Sequence, residues 1–268
     1  MSKTILVTGS TDGIGLETAK ALREKGHTVL LHGRNRQKLD KAEAALLAIP
    51  ANAGVETFQA DFSKLTEVAQ VADEIRNSHS KIDVLINNAG IFRAPVDLTD
   101  DGLDIRFVVN LLAPYLLTRE LLPLMDVSSR VVNLSSAAQA PVNLNALEGQ
   151  VRLSPMDAYA QSKLALTMWT RFLAGELGAN GPVIVAVNPG SLLASKMVKE
   201  GFGVAGNDLG IGVDILLRAA LSDAFTGASG KYFDNDGGRF SDPHPDGLNE
   251  TKTAKLMQTV EALTSRVV

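Results

Sequence analysis

Thr8-Gly9-Ser10-Thr11-Asp12-Gly13-Ile14-Gly15 lies between an apolar run, Thr4 to Thr8, and an amphipathic stretch from Ile14 to Lys25. Strand, glycine turn, helix is the order a dinucleotide fold needs at its first crossover. Glycines let backbone approach a pyrophosphate closely, and the helix start offers unpaired N–H groups with a partial positive charge. Such turns also use glycine for purely structural reasons, so the reading depends on what surrounds it. Outward from the turn, short β-branched runs recur at Thr28 to His32, Val55 to Ala60, Ile82 to Asn87, Arg130 to Ser135, Val183 to Asn188 and Lys231 to Asp234. Between them, apolar residues at three and four spacing mark helices near Arg36 to Leu47, Leu65 to Ser78, Leu103 to Leu122 and Pro155 to Leu177. The alternation predicts an α/β fold: a Rossmann-like, doubly wound parallel sheet of about seven strands with helices on both faces. Gly26 suits the left-handed residue that ends the first helix. No repeat or linker divides the chain, so residues 1–268 are expected to form a single domain.

Composition narrows the function. The chain has 268 residues, 45% hydrophobic and 21% charged, enough for a sizeable core. A net charge of −4 gives no basic field for nucleic acid or an anionic membrane surface. Without cysteine, disulfides, thiolate metal sites and cysteine nucleophiles are excluded. His27, His32, His79 and His244 are not at ligand spacing, and no metal is expected. Met1-Ser2-Lys3-Thr4 runs straight into the first strand, and no stretch is expected to span a bilayer. The expectation is a cytoplasmic protein with no membrane anchor.

Ser154-Pro155-Met156-Asp157 reads as an N-cap, a first-turn proline and a capping acid, so a helix should start at Pro155. Tyr159 and Lys163, four apart, then share one face of it. A phenol with a pKa near ~10 is a poor base at neutral pH, and a nearby ammonium favours its ionised form. Bringing it close to neutrality takes roughly 4 kcal/mol of differential interaction. Lys163 and the charge of an oxidised nicotinamide in a partly dry site are of that order. Tyr159 would then work as an acid and base. Taken alone, such a pair is far more often an ordinary surface helix pair. After the second strand, Gly33-Arg34-Asn35-Arg36 places cations where an NAD-binding fold carries a carboxylate. Arg34, with Arg36 as a second candidate, would pair with a 2′-phosphate, which favours NADP(H) over NAD(H). Asp12 in the glycine turn works against that phosphate.

Together these residues resemble the short-chain dehydrogenase/reductase family, in its compact single-domain branch. The likeness runs from Thr8 to about Asp234 and keeps the family's order: the glycine turn, Asp61, Asn87-Asn88-Ala89-Gly90, Asn110, Ser135-Ser136, Tyr159 with Lys163, and Asn188-Pro189-Gly190. The resemblance implies a cofactor site made of Gly9, Ser10, Thr11, Asp12, Gly13, Ile14 and Gly15, Arg34, Asp61 with Phe62, Asn88, Ala89 and Gly90, Tyr159, Lys163, Pro189 and Gly190. It further implies that Ser136 hydrogen-bonds the substrate oxygen and Tyr159 exchanges the proton. Lys163 would hold the nicotinamide ribose, Asn110 a relay water, and Asn87 would brace the sheet. The chain departs from the pattern twice. Ser136 precedes Tyr159 by more than the usual spacing, so residues 139–154 form an insertion beside the site. This insertion, Tyr159-Ala160-Gln161-Ser162-Lys163-Leu164 and Gly230-Lys231-Tyr232-Phe233 are similar to retinol dehydrogenase-like members. Ala194 stands where the family places a threonine for the carboxamide, so Ser191 or Ser195 must substitute.

The resemblance implies hydride transfer between NADP(H) and an alcohol or carbonyl compound, in a homo-dimer or homo-tetramer paired through the Leu103 and Pro155 helices. Residues 191–212, glycine-rich, would be a substrate lid. Phe92, Arg93, Val142, Leu144, Leu147, Met197, Val198 and Phe202 would wall an apolar pocket. Trp169, on a stripe with Leu166, Leu173 and Leu177, reads as core or subunit contact. The competing reading is a redox sensor or scaffold that binds dinucleotide without turnover. An epimerase or dehydratase would call for a longer chain with a substrate domain.

Overall fold

The structure, a computed structural model, describes residues 2–194 and 205–266. Ser195, Met197, Val198 and Phe202 lie outside the described residues. Eight strands form one sheet: β1 (Thr4–Val7), β2 (Thr28–Gly33), β3 (Val55–Gln59), β4 (Val84–Asn87), β5 (Arg130–Leu134), β6 (Val183–Asn188), β7 (Tyr232–Asp234) and β8 (Arg239–Ser241). Their order is β3-β2-β1-β4-β5-β6-β7-β8, parallel throughout except for the β7–β8 hairpin. The expected seven strands are therefore joined by one antiparallel edge strand. Three residues after an Asp236-Gly237-Gly238 turn are too short to carry a periodic signal.

Helices cover both faces of the sheet. On one lie α1 (Gly13–Glu24), α2 (Arg36–Leu47) and α8 (Leu209–Leu221), whose Ala19, Leu39, Leu46, Ile215 and Leu216 join Ile5, Val7, Val132 and Val185 of the strands. On the other lie α3 (Leu65–Ser78), α4 (Ile105–Phe107), α5 (Ala113–Leu121) and α7 (Pro155–Leu177), packed on Leu6, Leu85, Val131 and Ile184. A short α6 (Leu144–Leu147) precedes α7, and α9 (Glu250–Thr264) packs on α7 through Leu256, Met257, Val260 and Leu263. Successive strand residues feed opposite cores, which is why these strands read as continuous apolar runs instead of alternating ones.

The strand order reverses at β1 and β4. Between their carboxyl ends opens the crevice where open α/β sheets bind ligands. A polar ladder braces the sheet just below. Asn87 Nδ2 donates to Asn133 Oδ1 at 2.8 Å and to Thr118 Oγ1 at 3.0 Å, and Asn133 Nδ2 donates to Thr170 Oγ1 at 2.8 Å, which ties α5 and α7 to β4 and β5. Trp169 is fully buried, edge-on to Tyr115, and so belongs to the core. The stretch Ile105–Leu124 is the one among the described residues long and apolar enough to cross a membrane, with a mean hydropathy of 1.3. That corrects the expectation of none: α4, the turn after it, α5 and the turn Leu122–Leu124 run together into one apolar stretch, most of which is buried in the core.

Candidate active site

The glycine turn is built as its sequence demands. Gly9 has φ +64, and a Cβ there would stand 2.9 Å from the Ala89 Cα. At Gly15 a Cβ would meet the Gly9 carbonyl oxygen and Asn88 Nδ2 at 2.4 Å, so only glycine lets α1 start this close to β1 and β4. Asp12 caps α1, accepting from Gly13 N at 2.8 Å. Thr8 Oγ1 accepts from Asn88 N and Ala89 N, and Asn88 Nδ2 donates to Thr8 O and Gly9 O, locking the two segments side by side. Ser10 and Thr11 complete the turn: Ser10 is buried against β2, and Thr11 fits over the bare Gly33.

At the carboxyl ends of β2 and β3, Arg34 is exposed. Arg36 is committed elsewhere, with Nε on Asp40 Oδ1 at 2.7 Å. Lys38 Nζ lies 3.9 Å from Asp12 Oδ2, so the carboxylate in the turn has a cation beside it. Asp61 Oδ1 accepts from Ser63 N and Oγ, and Phe62 is buried. His32, expected only to end a strand, does more: it accepts from Gly9 N through Nδ1 at 3.1 Å, contacts Ala60 O through Nε2 at 3.1 Å and stacks on Phe62. A histidine closing an apolar strand just after the glycine turn was the available signal.

At the other end, Ser154 caps α7 by accepting from Asp157 N at 3.1 Å, with Pro155 in the first turn. Tyr159 and Lys163 share one face as expected, Lys163 Nζ lying 5.6 Å from the Tyr159 ring centroid. Burial pushes the Tyr159 hydroxyl up, and a hydrogen bond with the Ser136 side chain pulls it back in part. Lys163 is buried and held down to about 8 by desolvation, while Nζ donates to Leu134 O at 2.7 Å. The lysine on its own therefore does not bring the phenol toward neutrality in this fold.

Gly90 sits against both ends of the constellation: a Cβ on it would lie 3.3 Å from Asn110 Oδ1 and 3.5 Å from Lys163 Nζ. Asn110 is fully buried in a π turn, Val108–Leu112, that widens the helix between α4 and α5. Its side chain bonds Ile91 N and O at 2.8 and 2.9 Å and donates to Ser162 Oγ at 3.0 Å, while Ser162 Oγ donates to Tyr159 O at 2.7 Å. Asn110, Ser136, Tyr159, Lys163 and Gly90, scattered along the sequence, thus converge at one place.

The insertion is anchored to this place. Gln139 Nε2 and the Tyr232 hydroxyl both donate to Ser136 O, at 3.0 and 3.1 Å, and Gln161 Oε1 accepts from Asn143 N at 2.9 Å. Phe92 lies edge-on to Tyr159 at 5.4 Å, and Val142 and Leu144 are partly exposed nearby in sequence. Leu147 is fully buried in the core and cannot line a pocket. Beyond Pro189 and Gly190, Ser191 is engaged: its N and Oγ donate to Asp236 at 2.8 and 2.5 Å.

The short chain dehydrogenase family profile matches residues 3–202. Human retinol dehydrogenase 13 is 31% identical over 275 residues, covering 95% of this chain and 82% of that protein. Among solved structures, an uncharacterised protein from Mycobacterium paratuberculosis has 30% identity and a TM-score of 0.81, with 98% of this chain and 93% of that one covered. A Shigella flexneri short chain dehydrogenase complexed with NADP has 25% identity and a TM-score of 0.69, with 87% and 97% covered. With the site's geometry and these likenesses together, the chain belongs to the short-chain dehydrogenase/reductase family of oxidoreductases, which bind a nicotinamide cofactor.

Proposed function

We propose that this protein interconverts an apolar alcohol and its carbonyl compound with NADP(H). The observation that carries the reading is the convergence of Ser136, Tyr159, Lys163 and Asn110 beside the bare backbone of Gly90. Gly9, Gly15 and Gly90 leave a cradle that any Cβ would narrow, which fits a dinucleotide laid across the sheet's crevice. When bound, the nicotinamide supplies or takes the hydride. The protein orients and stabilises. Ser136 Oγ donates to the substrate oxygen as its charge develops, and the Tyr159 hydroxyl gives or takes the proton there. Lys163, whose ammonium has donors beyond the one spent on Leu134 O, holds the ribose hydroxyls. Its charge, together with the cofactor's, lowers the phenol pKa that burial alone raises. Asn110 and the π turn around it seat a water that passes the proton outward.

Exposed Arg34, with Arg36 turned to Asp40 and Lys38 offsetting Asp12, supports the 2′-phosphate, as does the NADP complex of the Shigella flexneri relative. Asp61 and Phe62 border the adenine. Phe92 and the insertion give the substrate side an apolar wall, in keeping with the retinol dehydrogenase relative. A homo-dimer through α5 and α7 would have to form around α9, which already packs on α7. The scaffold reading is disfavoured by the intact set of four residues. A panel of apolar alcohols and carbonyl compounds, followed by absorbance of the reduced cofactor with NADPH and NADH in parallel, tests the proposal. Turnover preferring NADPH and abolished by Tyr159→Phe is expected; turnover that survives Tyr159→Phe refutes the assignment.

A further inference from the structure

We propose that His32 is a positioning residue for the adenosine half of the dinucleotide: its neutral imidazole fixes the glycine turn and the Ala60-Asp61-Phe62 corner in one register. The inference rests on the dinucleotide site proposed above. Two segments far apart in sequence meet on this residue of β2. The glycine turn is tied to it by Gly9 N donating to Nδ1 at 3.1 Å, Ser10 N donating to His32 O at 3.0 Å, and His32 N donating to Ser10 Oγ at 2.9 Å. The corner after β3 is tied to it by Nε2 and Ala60 O at 3.1 Å and by Phe62, whose ring stacks at 3.9 Å and 23°.

Because Gly9 N–H can only donate, Nδ1 must carry the lone pair, so Nε2 carries the proton that Ala60 O accepts. The residue needed here must accept on one edge and donate on the other across a rigid plane, and a neutral imidazole does both. Its burial, 4% exposed, keeps it in that form. On its other side Gly9 lies close to Ala89, where a Cβ would stand 2.9 Å from the Ala89 Cα, and its carbonyl accepts from Asn88 Nδ2, so the ring and the Asn88 segment hold the turn from both sides. A displaced ring would therefore move the pyrophosphate turn relative to Asp61. It would leave Tyr159 and Lys163, at the far end of the crevice, where they are.

The test compares His32→Leu, His32→Asn and the unaltered protein, measuring affinities for NADPH, NADH and adenosine 2′,5′-bisphosphate by calorimetry well below each protein's melting temperature. Asn keeps an acceptor near the Nδ1 position and Leu keeps none. His32→Leu is expected to bind NADPH and the adenosine fragment roughly tenfold more weakly, in parallel, with His32→Asn recovering part of the loss. Loss of folding alone would not weaken the fragment in a protein still folded at the assay temperature. If His32→Leu does not fold, His32→Asn against the unaltered protein carries the test, with a smaller parallel loss expected. Fragment and dinucleotide affinities equal to those of the unaltered protein overturn the inference and leave the dinucleotide site standing. An unaltered protein that binds neither dinucleotide overturns both.

Discussion

Asp104→Ala would remove the main partner of a fully buried cation. Arg106 is 1% exposed, and its Nε and Nη2 bond both oxygens of Asp104 at 2.9 and 2.8 Å, a two-pronged contact. Asp104 Oδ1 also accepts from Arg106 N, capping α4. The remaining partners are Asp97 Oδ1 at 2.8 Å, on a side chain 63% exposed, and the Phe92 carbonyl at 3.5 Å. Breaking a buried pair by deleting one partner costs about 3–5 kcal/mol, because the guanidinium loses compensation but not burial. A chain of this length has an unfolding entropy of about 0.56 kcal/mol/K near its midpoint, so the expected fall in Tm is about 5–9 °C. Differential scanning calorimetry at pH 7 reads it directly. A control, Asp104→Leu with Arg106→Met, removes both charges and should recover most of the loss. A fall below about 1 °C for Asp104→Ala would show that water or a shifted Asp97 replaces the pair, and the reasoning from burial would fail.

Other outcomes follow from the same geometry. Burial holds His32 down to about 4 against 6.5 in the unfolded chain, opposed by the Ala60 carbonyl and then by Asp61. Its neutral form thus stabilises the fold fully above pH 6.5, and roughly 3 kcal/mol is lost as pH falls toward 4; denaturant titrations of the unaltered protein and His32→Asn across that window should diverge. Lys163→Met should abolish turnover yet stabilise the cofactor-free fold by about 1–3 kcal/mol at pH 7, since desolvation disfavours the buried ammonium, and the gain should shrink as pH rises above 8; urea unfolding at pH 7 and 9.5 checks both signs. Gly15→Ala should cost dinucleotide affinity about tenfold or more, its Cβ being 2.4 Å from Gly9 O, as fluorescence titration with NADPH would read. Arg34→Ala should weaken NADPH about tenfold and leave NADH nearly unchanged, which parallel titrations would show.

Much of this architecture was legible because its signals are local. The glycine turn, the helix start at Pro155 and the left-handed Gly26, at φ +80, each depend on a few adjacent residues. What escaped depends on tertiary context. Leu209–Leu221 carries Gly210 and Gly212, which read as loop; the bare Gly212 lets the Leu193 side chain pack close against the helix, where a Cβ would stand 2.7 Å from Leu193 Cδ1. Glu250–Thr264 is rich in threonine and becomes helical on the support of α7. The π turn at Asn110 lies between Val108-Val109 and Leu111-Leu112, where apolar residues on every side leave no helical spacing that would mark the wider turn. Within the site, Tyr159 and Lys163 were legible from their spacing only together with the helix start at Pro155 and the ordered motifs upstream. The role of His32 was not, since its partners are 23 and 28 residues away in the chain.

The packing of α9 on α7 also sets the order in which the molecule can be made. Helix α7 carries Tyr159 and Lys163, but its outer face is sheltered only by residues synthesised some ninety positions later, near the far end of the described chain. A ribosome-bound intermediate that already holds all of α7 would still lack the cover that Leu256, Met257, Val260 and Leu263 give it. Such a chain invites association with chaperones or with its own kind. The strands that frame the crevice, β1 and β4, are complete long before the residues that cover α7, Leu256 to Leu263, leave the ribosome.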